Sequence, residues 1–231
     1  VRGIVLSYGG GGLLAVLYCQ VRLGSVVVPG WDREAWILLA KTGLPLIGYA
    51  ALQWLFSYVD RFLVLSLYSA HELGLYGFAA LGPYVLSGIS GSVTRAILPI
   101  IMRRLGRDGQ IQSSVHLLLG TLLVMALFNS VASGALLPVL SVATHFYWPT
   151  YANALPIAWT LLAGSYFFTI VMLIVPYAIA ADRQWAMNGW ASAAVVINGV
   201  AAIAFVRGGA GLLGVGFATL VAQAFFCVTL Y

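Results

Sequence analysis

The sequence predicts an all-α polytopic membrane protein, a bundle of about seven transmembrane helices. Three observations predict it. Of the 231 residues 62% are hydrophobic and only 7% are charged, against roughly 25% charged in an ordinary soluble domain, so the chain cannot furnish a polar surface. Several apolar runs reach the ~20 residues that cross a hydrocarbon core. The runs are apolar on every face and too long for barrel strands, which take ~10 residues in strict alternation.

In chain order the candidate spans are Gly3–Val21, Leu44–Tyr68, Leu73–Ile101, Val115–Thr144, Asn153–Ala180, Trp185–Val206 and Gly211–Tyr231. The first run is followed by Arg22, Pro29-Gly30 and then Trp31–Lys41, which reads either as a helix lying on the membrane surface or as a plain connecting loop. Gly82-Pro83, Gly88, Gly91, Pro99, Pro138, Pro156 and Pro176 fall inside spans. Neighbouring helices or water must satisfy the backbone groups that proline frees. Such breaks serve either as packing kinks or as bends around a transport cavity.

Basic residues set the orientation. Arg22, Arg33 and Lys41 lie in the first connection, Arg103, Arg104 and Arg107 in the third, and Arg183 in the fifth. The second and fourth connections, around His71-Glu72 and His145–Tyr151, carry no Lys or Arg, and the sixth carries Arg207 alone. The excess of positive charge marks the first, third and fifth connections as cytoplasmic. Val1 then lies outside and Tyr231 inside. Tyr147, Trp148 and Tyr151 fall at an outer boundary, and Trp185 and Trp190 near an inner one, where aromatic rings favour the headgroup zone. The basic residues are dispersed as topology signals rather than gathered on one face, so the net charge of +5 does not indicate nucleic acid.

Chemistry is sparse. Cys19 and Cys227 are isolated in apolar segments, without redox or metal-ligand spacing. His71, His116 and His145 lack partners at ligand spacing, so no metal site is indicated. Gly209–Gly214 matches the dinucleotide pattern GxGxxG, but it opens an apolar helix and no strand precedes it. Its small residues, with Gly216 and Ala218, suit close helix packing instead. No catalytic constellation and no cofactor-binding pattern emerges, and the chain is not read as an enzyme.

Charges inside the membrane mark function by default. Asp60 and Arg61 lie in the second span, and Arg95 in the third. Adjacent helical residues point about 100° apart, so Asp60 and Arg61 cannot both face one groove squarely. Asp60 and Arg95 lie at different depths and are not expected to pair. The functional reading is a cavity lining for an anionic substrate, with Asp60 as a proton or cation site. The competing reading has Arg61 and Arg95 reaching to opposite interfaces. Asn129, Asn188, Asn198 and Gln223 are amides of the kind that hold membrane helices together. Asn198 and Gln223 join Asp60, Arg61 and Arg95 as candidate lining residues.

The run Ser57-Tyr58-Val59-Asp60-Arg61-Phe62-Leu63-Val64, then Glu72-Leu73-Gly74-Leu75-Tyr76, then Ile97-Leu98-Pro99 and Arg103-Arg104 resembles bacterial polysaccharide flippases. There a helix ending in an Asp-Arg-like pair precedes a turn with a Gly-x-Tyr element, and the next helix ends in a proline near the inner surface. Tyr151–Pro156 resembles the start of a later helix in that family, Ala193–Asn198 its Asn-bearing helix, and Gly211–Gln223 its Gly-rich final pair. The family belongs to the multidrug/oligosaccharidyl-lipid/polysaccharide exporter superfamily, with two related halves around a central cavity.

The resemblance implies a MATE-like C-terminal lobe at 42–231, preceded at 1–41 by the last helix of the other lobe and a cytoplasmic linker, within a longer chain. It implies a transporter in the inner (plasma) membrane that flips polyprenyl-diphosphate-linked oligosaccharide repeat units, with a coupling ion, proton or sodium. A drug/cation antiporter or a lipid II flippase of the same superfamily is the alternative. A cation exporter should line its pocket with carboxylates, and this chain buries Asp60 alone. A membrane glycosyltransferase or polymerase would need acids or histidines clustered at a boundary, which are not visible.

Overall fold

The structure, a computed structural model, describes residues 14, 17–18, 21–22, 32–108, 115–181 and 183–230. It is helical throughout, and no strand occurs among the described residues. The elements are α1 (Arg33–Leu67), α2 (Ala70–Ala79), α3 (Leu81–Asp108), α4 (Val115–Phe146), a 3-10 turn (Pro149–Ala154), α5 (Leu155–Ala180), α6 (Gln184–Phe205), a π turn (Val206–Ala210) and α7 (Gly211–Leu230). The chain divides into two compact units, Val1–Thr42 and Gly43–Tyr231. In the first, Leu14, Leu17, Tyr18, Val21 and Arg22 are helical. The rest of the span expected at Gly3–Val21, with Cys19, lies outside the described residues, as does Trp31.

Five stretches are long and apolar enough to cross a membrane: Arg33–Leu67, Leu81–Ile101, Val115–Phe146, Pro149–Ile179 and Gln184–Leu230. The last is not one straight rod. Gly209 at φ 85° and Gly211 at φ 59° turn the chain between α6 and α7, which pack against each other along their lengths. Only glycine adopts such angles without a Cβ clash. In the unit 43–231, α5 is the hub and packs against α3, α4 and α7.

Two expectations about span limits are corrected. The stretch Trp31–Lys41 is neither a loop nor a separate surface helix over its described part, because α1 runs unbroken from Arg33 to Leu67. The span expected at Leu73–Ile101 is two helices, α2 and α3, parted at Ala80. Pro83 fits this break, because it has no N–H to bond the Ala79 carbonyl four residues back and its fixed φ suits a first helical turn. The Gly82-Pro83 pair therefore opens a helix rather than kinking one. Gly82 also lets α3 close on α5, since a Cβ there would stand 3.2 Å from Leu162 Cδ2. Pro99 is interior to α3, which continues to Asp108, so no helix ends at that proline.

Two apolar cores are stacked along the bundle. One gathers Val64, Leu75, Tyr76, Ala154, Leu161, Ala202 and Ala218. The other gathers Phe56, Val171, Met187, Ala194, Ala222 and Phe226. Apolar burial does not drive helices together within lipid, so close contact falls to small residues. Accordingly Ala194, Ala202, Ala218 and Ala222 are all fully buried.

Candidate functional site

The site lies between the two cores. On α1 the buried positions Pro45, Tyr49, Phe56, Asp60 and Val64 recur at helical spacing and form one inward stripe. Asp60 sits on that stripe between Phe56 of one core and Val64 of the other. Ser165 stands likewise between Leu161 and Val171 on α5, and Thr219 between Ala218 and Ala222 on α7. Counting 1.5 Å per residue, Asp60 lies roughly 10 Å from the α1 end at Leu67, Ser165 roughly 15 Å from the α5 start, and Thr219 roughly 12 Å from the α7 start. Three helices thus bring their polar residues to within roughly one helical turn of one another in depth.

Asp60 is 7% exposed and both of its oxygens are engaged. The Tyr76 hydroxyl donates to Oδ2 at 2.6 Å, and Oδ1 accepts the Arg61 backbone N–H at 2.8 Å. Thr219 Oγ1 stands 3.5 Å from the Tyr76 hydroxyl oxygen. A buried carboxyl group is costly unless its oxygens find hydrogen-bond partners, and these two contacts supply them. Tyr76 is delivered by α2, whose first turn is fixed by a capping box. There Ser69 takes the N-cap and pairs with Glu72.

The neighbouring Arg61 turns another way. Its Cζ lies 5.2 Å from the Tyr58 ring centroid and 4.9 Å from that of Tyr84. A guanidinium over aromatic faces is attracted by their quadrupoles. Beside these groups is a cleft of about 90 Å³, bordered by Ser57, Asp60, Arg61, Ser87, Ser165 and Gln223, with Thr219 and several apolar side chains. Gln223 Oε1 is buried without a partner. Gly164 makes room for it, because a Cβ there would meet that oxygen at 2.3 Å.

Of the five candidates from the sequence, Asp60, Arg61 and Gln223 meet at this cleft. Arg95 does not border it and is exposed on α3, roughly 21 Å from that helix's start. Asn198 is fully buried at the level of the cleft, between Ala194 and Ala202, yet does not border it either. Neither atom of its amide has a partner. Of the other amides, Asn129 Nδ2 donates to Thr169 Oγ1 at 2.8 Å and to the Ser165 carbonyl at 3.2 Å, and Ser90 Oγ stands 3.2 Å from the same threonine hydroxyl. That network ties α3, α4 and α5. Asn188 ties α6 to α1 through the Pro45 carbonyl at 2.9 Å.

Sequence reasoning passed over Tyr76, Thr219, Tyr58, Tyr84 and the three serines as site residues. Hydroxyls are common in membrane helices, and spacing along one helix does not say which of them face a residue on another. Among the described residues no three His, Cys, Asp or Glu side chains gather as a metal site. Comparison with protein-family models, with curated proteins and with solved structures gives no match.

Proposed function

We propose that the chain is the C-terminal lobe, with one preceding helix, of a MATE-like transporter that flips polyprenyl-diphosphate-linked oligosaccharide across the inner membrane for surface polysaccharide synthesis. One observation carries this reading. A bundle clad in apolar side chains holds a polar cleft bordered by a carboxyl group, a guanidinium, hydroxyls and an amide oxygen. A sugar head group crossing hydrocarbon unaided would lose its water at a cost of several kcal/mol per polar group. Hydroxyls and amides replace that water, and arginine offers paired hydrogen bonds to a diphosphate.

Counting α6 and α7 as separate crossings, the described residues from Arg33 onward supply six spans, and the stretch before Arg22 supplies the seventh in this reading. The Asp60–Tyr76 pair is the place for a coupling proton or sodium ion. The drug/cation alternative asks for several carboxylates, and Asp60 is the one acid bordering the cleft. The role is transport and not covalent chemistry.

The test is reconstitution of the protein in lipid vesicles with a fluorescent polyprenyl-diphosphate oligosaccharide in one leaflet. Transfer to the other leaflet is expected, and it should fall when Gln223 or Asp60 is replaced at equal protein recovery. Equal transfer by protein-free vesicles would defeat the reading.

A further inference from the structure

Pro176 lies inside α5, about one turn before that helix ends at Ala180. It has no N–H, so the carbonyl four residues back, that of Met172, loses its helical donor. Inside a membrane such a carbonyl must find a donor elsewhere. The Thr94 hydroxyl of α3 reaches it, with Oγ1 3.3 Å from the Met172 carbonyl oxygen. The same hydroxyl stands 2.9 Å from the Ser90 carbonyl on its own helix. One proton thus has two acceptors. The Ser90 carbonyl also takes the Thr94 N–H by the helical pattern, so the Met172 carbonyl has the greater need of it.

The other interior prolines differ. Pro45, Pro99 and Pro138 release the carbonyls of Lys41, Arg95 and Gly134, all on residues exposed at the bundle surface. Met172 is flanked by buried Val171 and by buried residues 173–176. Its side chain meets α1 as well, since Gln53 Nε2 lies 2.8 Å from the thioether sulfur. Two helices that border the cleft, α1 and α3, therefore meet α5 at one residue.

Beyond Pro176 the chain is tied to itself. The Ala181 N–H bonds the Tyr177 carbonyl at 2.9 Å and the Arg183 N–H bonds the Ala178 carbonyl at 3.0 Å. Gln184 Nε2 donates to the Ile179 carbonyl at 3.3 Å. These bonds make the turn between α5 and α6 one compact corner. One turn further on, Asn188 holds α6 to α1 through the Pro45 carbonyl at 2.9 Å. A stiff corner behind a helix that lacks one rung bends at the missing rung.

We infer that Met172–Pro176 is a hinge, that the α5–α6 corner swings on it away from α3, and that the Thr94 hydroxyl is the latch. Latched, the hydroxyl donates to the Met172 carbonyl. As the corner swings, that carbonyl tilts away and the hydroxyl turns its proton to the Ser90 carbonyl, already within reach. The latch therefore releases without stranding its own donor, and the bared Met172 carbonyl alone sets the cost of opening. Asn188 and Gln53 keep the corner with α1, so the movement opens between α5 and α3. The inference concerns the bundle and not its cargo, and it stands apart from the flippase reading.

The experiment measures spin-label distances in nanodiscs, with Cys19 and Cys227 replaced by alanine. One label is carried by Arg183→Cys on the corner and the other by Ile100→Cys on the exposed face of α3. Thr94→Val keeps the shape and removes the hydroxyl. It should raise the share of the longer distance about two- to tenfold, as loss of one hydrogen bond does. Thr94→Ser keeps the hydroxyl and should match wild type. Pro176→Ala supplies an N–H to the Met172 carbonyl, and in that background Thr94→Val should change nothing. Thr94→Ala replaces Thr94→Val where recovery falls. An unchanged distribution in Thr94→Val would overturn the latch. An equal effect of Thr94→Val with Pro176 and with Ala at that position would do so too, since the threonine would then act by packing alone. A single distance in every variant would overturn the hinge itself. None of these outcomes bears on whether wild-type vesicles flip the sugar lipid, so the transport reading is judged separately.

Discussion

At the scale of the residue, Asp60 and Tyr76 form the pair on which the site turns. Tyr76→Phe removes the donor at 2.6 Å and leaves a buried carboxylate oxygen unpaired. Leaving a buried acceptor without its partner costs about 1–3 kcal/mol, so the variant should lose stability of that order in detergent melting. Asp60→Asn in the same background should recover part of it, because the amide can donate as well as accept and makes no buried charge. Simple additivity of the two single variants would show that the residues do not interact. Asn198 poses the opposite case. Its amide is fully buried and unpartnered, so Asn198→Leu should raise the melting temperature, the penalty for such a group being about 1–3 kcal/mol. A stable but transport-dead Asn198→Leu would mean that the amide finds its partner in another state of the cycle. Asp60 was legible in the sequence because a charge stands out in an apolar run. Arg61 was legible as its neighbour, and their divergent directions follow from the 100° step of the helix. Tyr76 and Thr219 were not legible, since their importance comes from helices brought together 16 and 143 residues away along the chain.

At the scale of the element, the apolar runs announced α4, α5, α6 and α7 to within about two residues, the usual uncertainty of helix ends. They failed where hydropathy is continuous and the backbone is not. Residues 73–101 read as one apolar span, yet the helix parts at Ala80, just before Pro83, while a cap at Ser69 sets the start of α2. That cap gives α2 a pH dependence. The Ser69 hydroxyl holds the Glu72 carboxyl below its ordinary value, with further help from backbone bonds. A depressed folded-state pKa contributes stability above the unfolded pKa and loses it as pH falls through the folded one. Hydrogen exchange at the start of α2 should therefore quicken below the ordinary carboxylate range, and Glu72→Gln should abolish that change. The α6–α7 turn offers a steric counterpart. A Cβ at Gly214 would stand 2.8 Å from Phe205 Cβ and 3.3 Å from its carbonyl carbon. Gly214→Ala should cost about 1–3 kcal/mol, the usual penalty for overpacking. Gly211→Ala should cost a similar amount from its positive φ, since such conformations run to about 1–3 kcal/mol. Gly208→Ala, with open space and an ordinary φ, should melt with wild type.

At the scale of the whole molecule, charge and hydropathy made the membrane bundle legible, while the cleft was not, because it exists only where α1, α3, α5 and α7 converge. The same convergence bears on orientation. Phe78 stacks on Tyr151 at 4.6 Å and meets Trp148 at 6.1 Å. Ala154, Ala202 and Val215 share a core with Val64 and Leu75. The connections after α1, α4 and α6 therefore lie at one end of the unit 43–231, and these are the connections with Arg207 as their single basic residue. Arg103 and Arg183 lie toward the other ends of α3 and α5. Positive residues are retained on the cytoplasmic side, so the Trp148 end should face outward, and with it the cleft should sit in the outer half of the membrane. Single cysteines test this in a background with Cys19 and Cys227 replaced by alanine. Tyr147→Cys, at a position 75% exposed, should react with an impermeant maleimide added to intact cells. Arg183→Cys and Gly106→Cys should react only after the cells are opened. Labelling of Gly106→Cys from outside would invert the molecule and place the cleft in the inner half of the membrane.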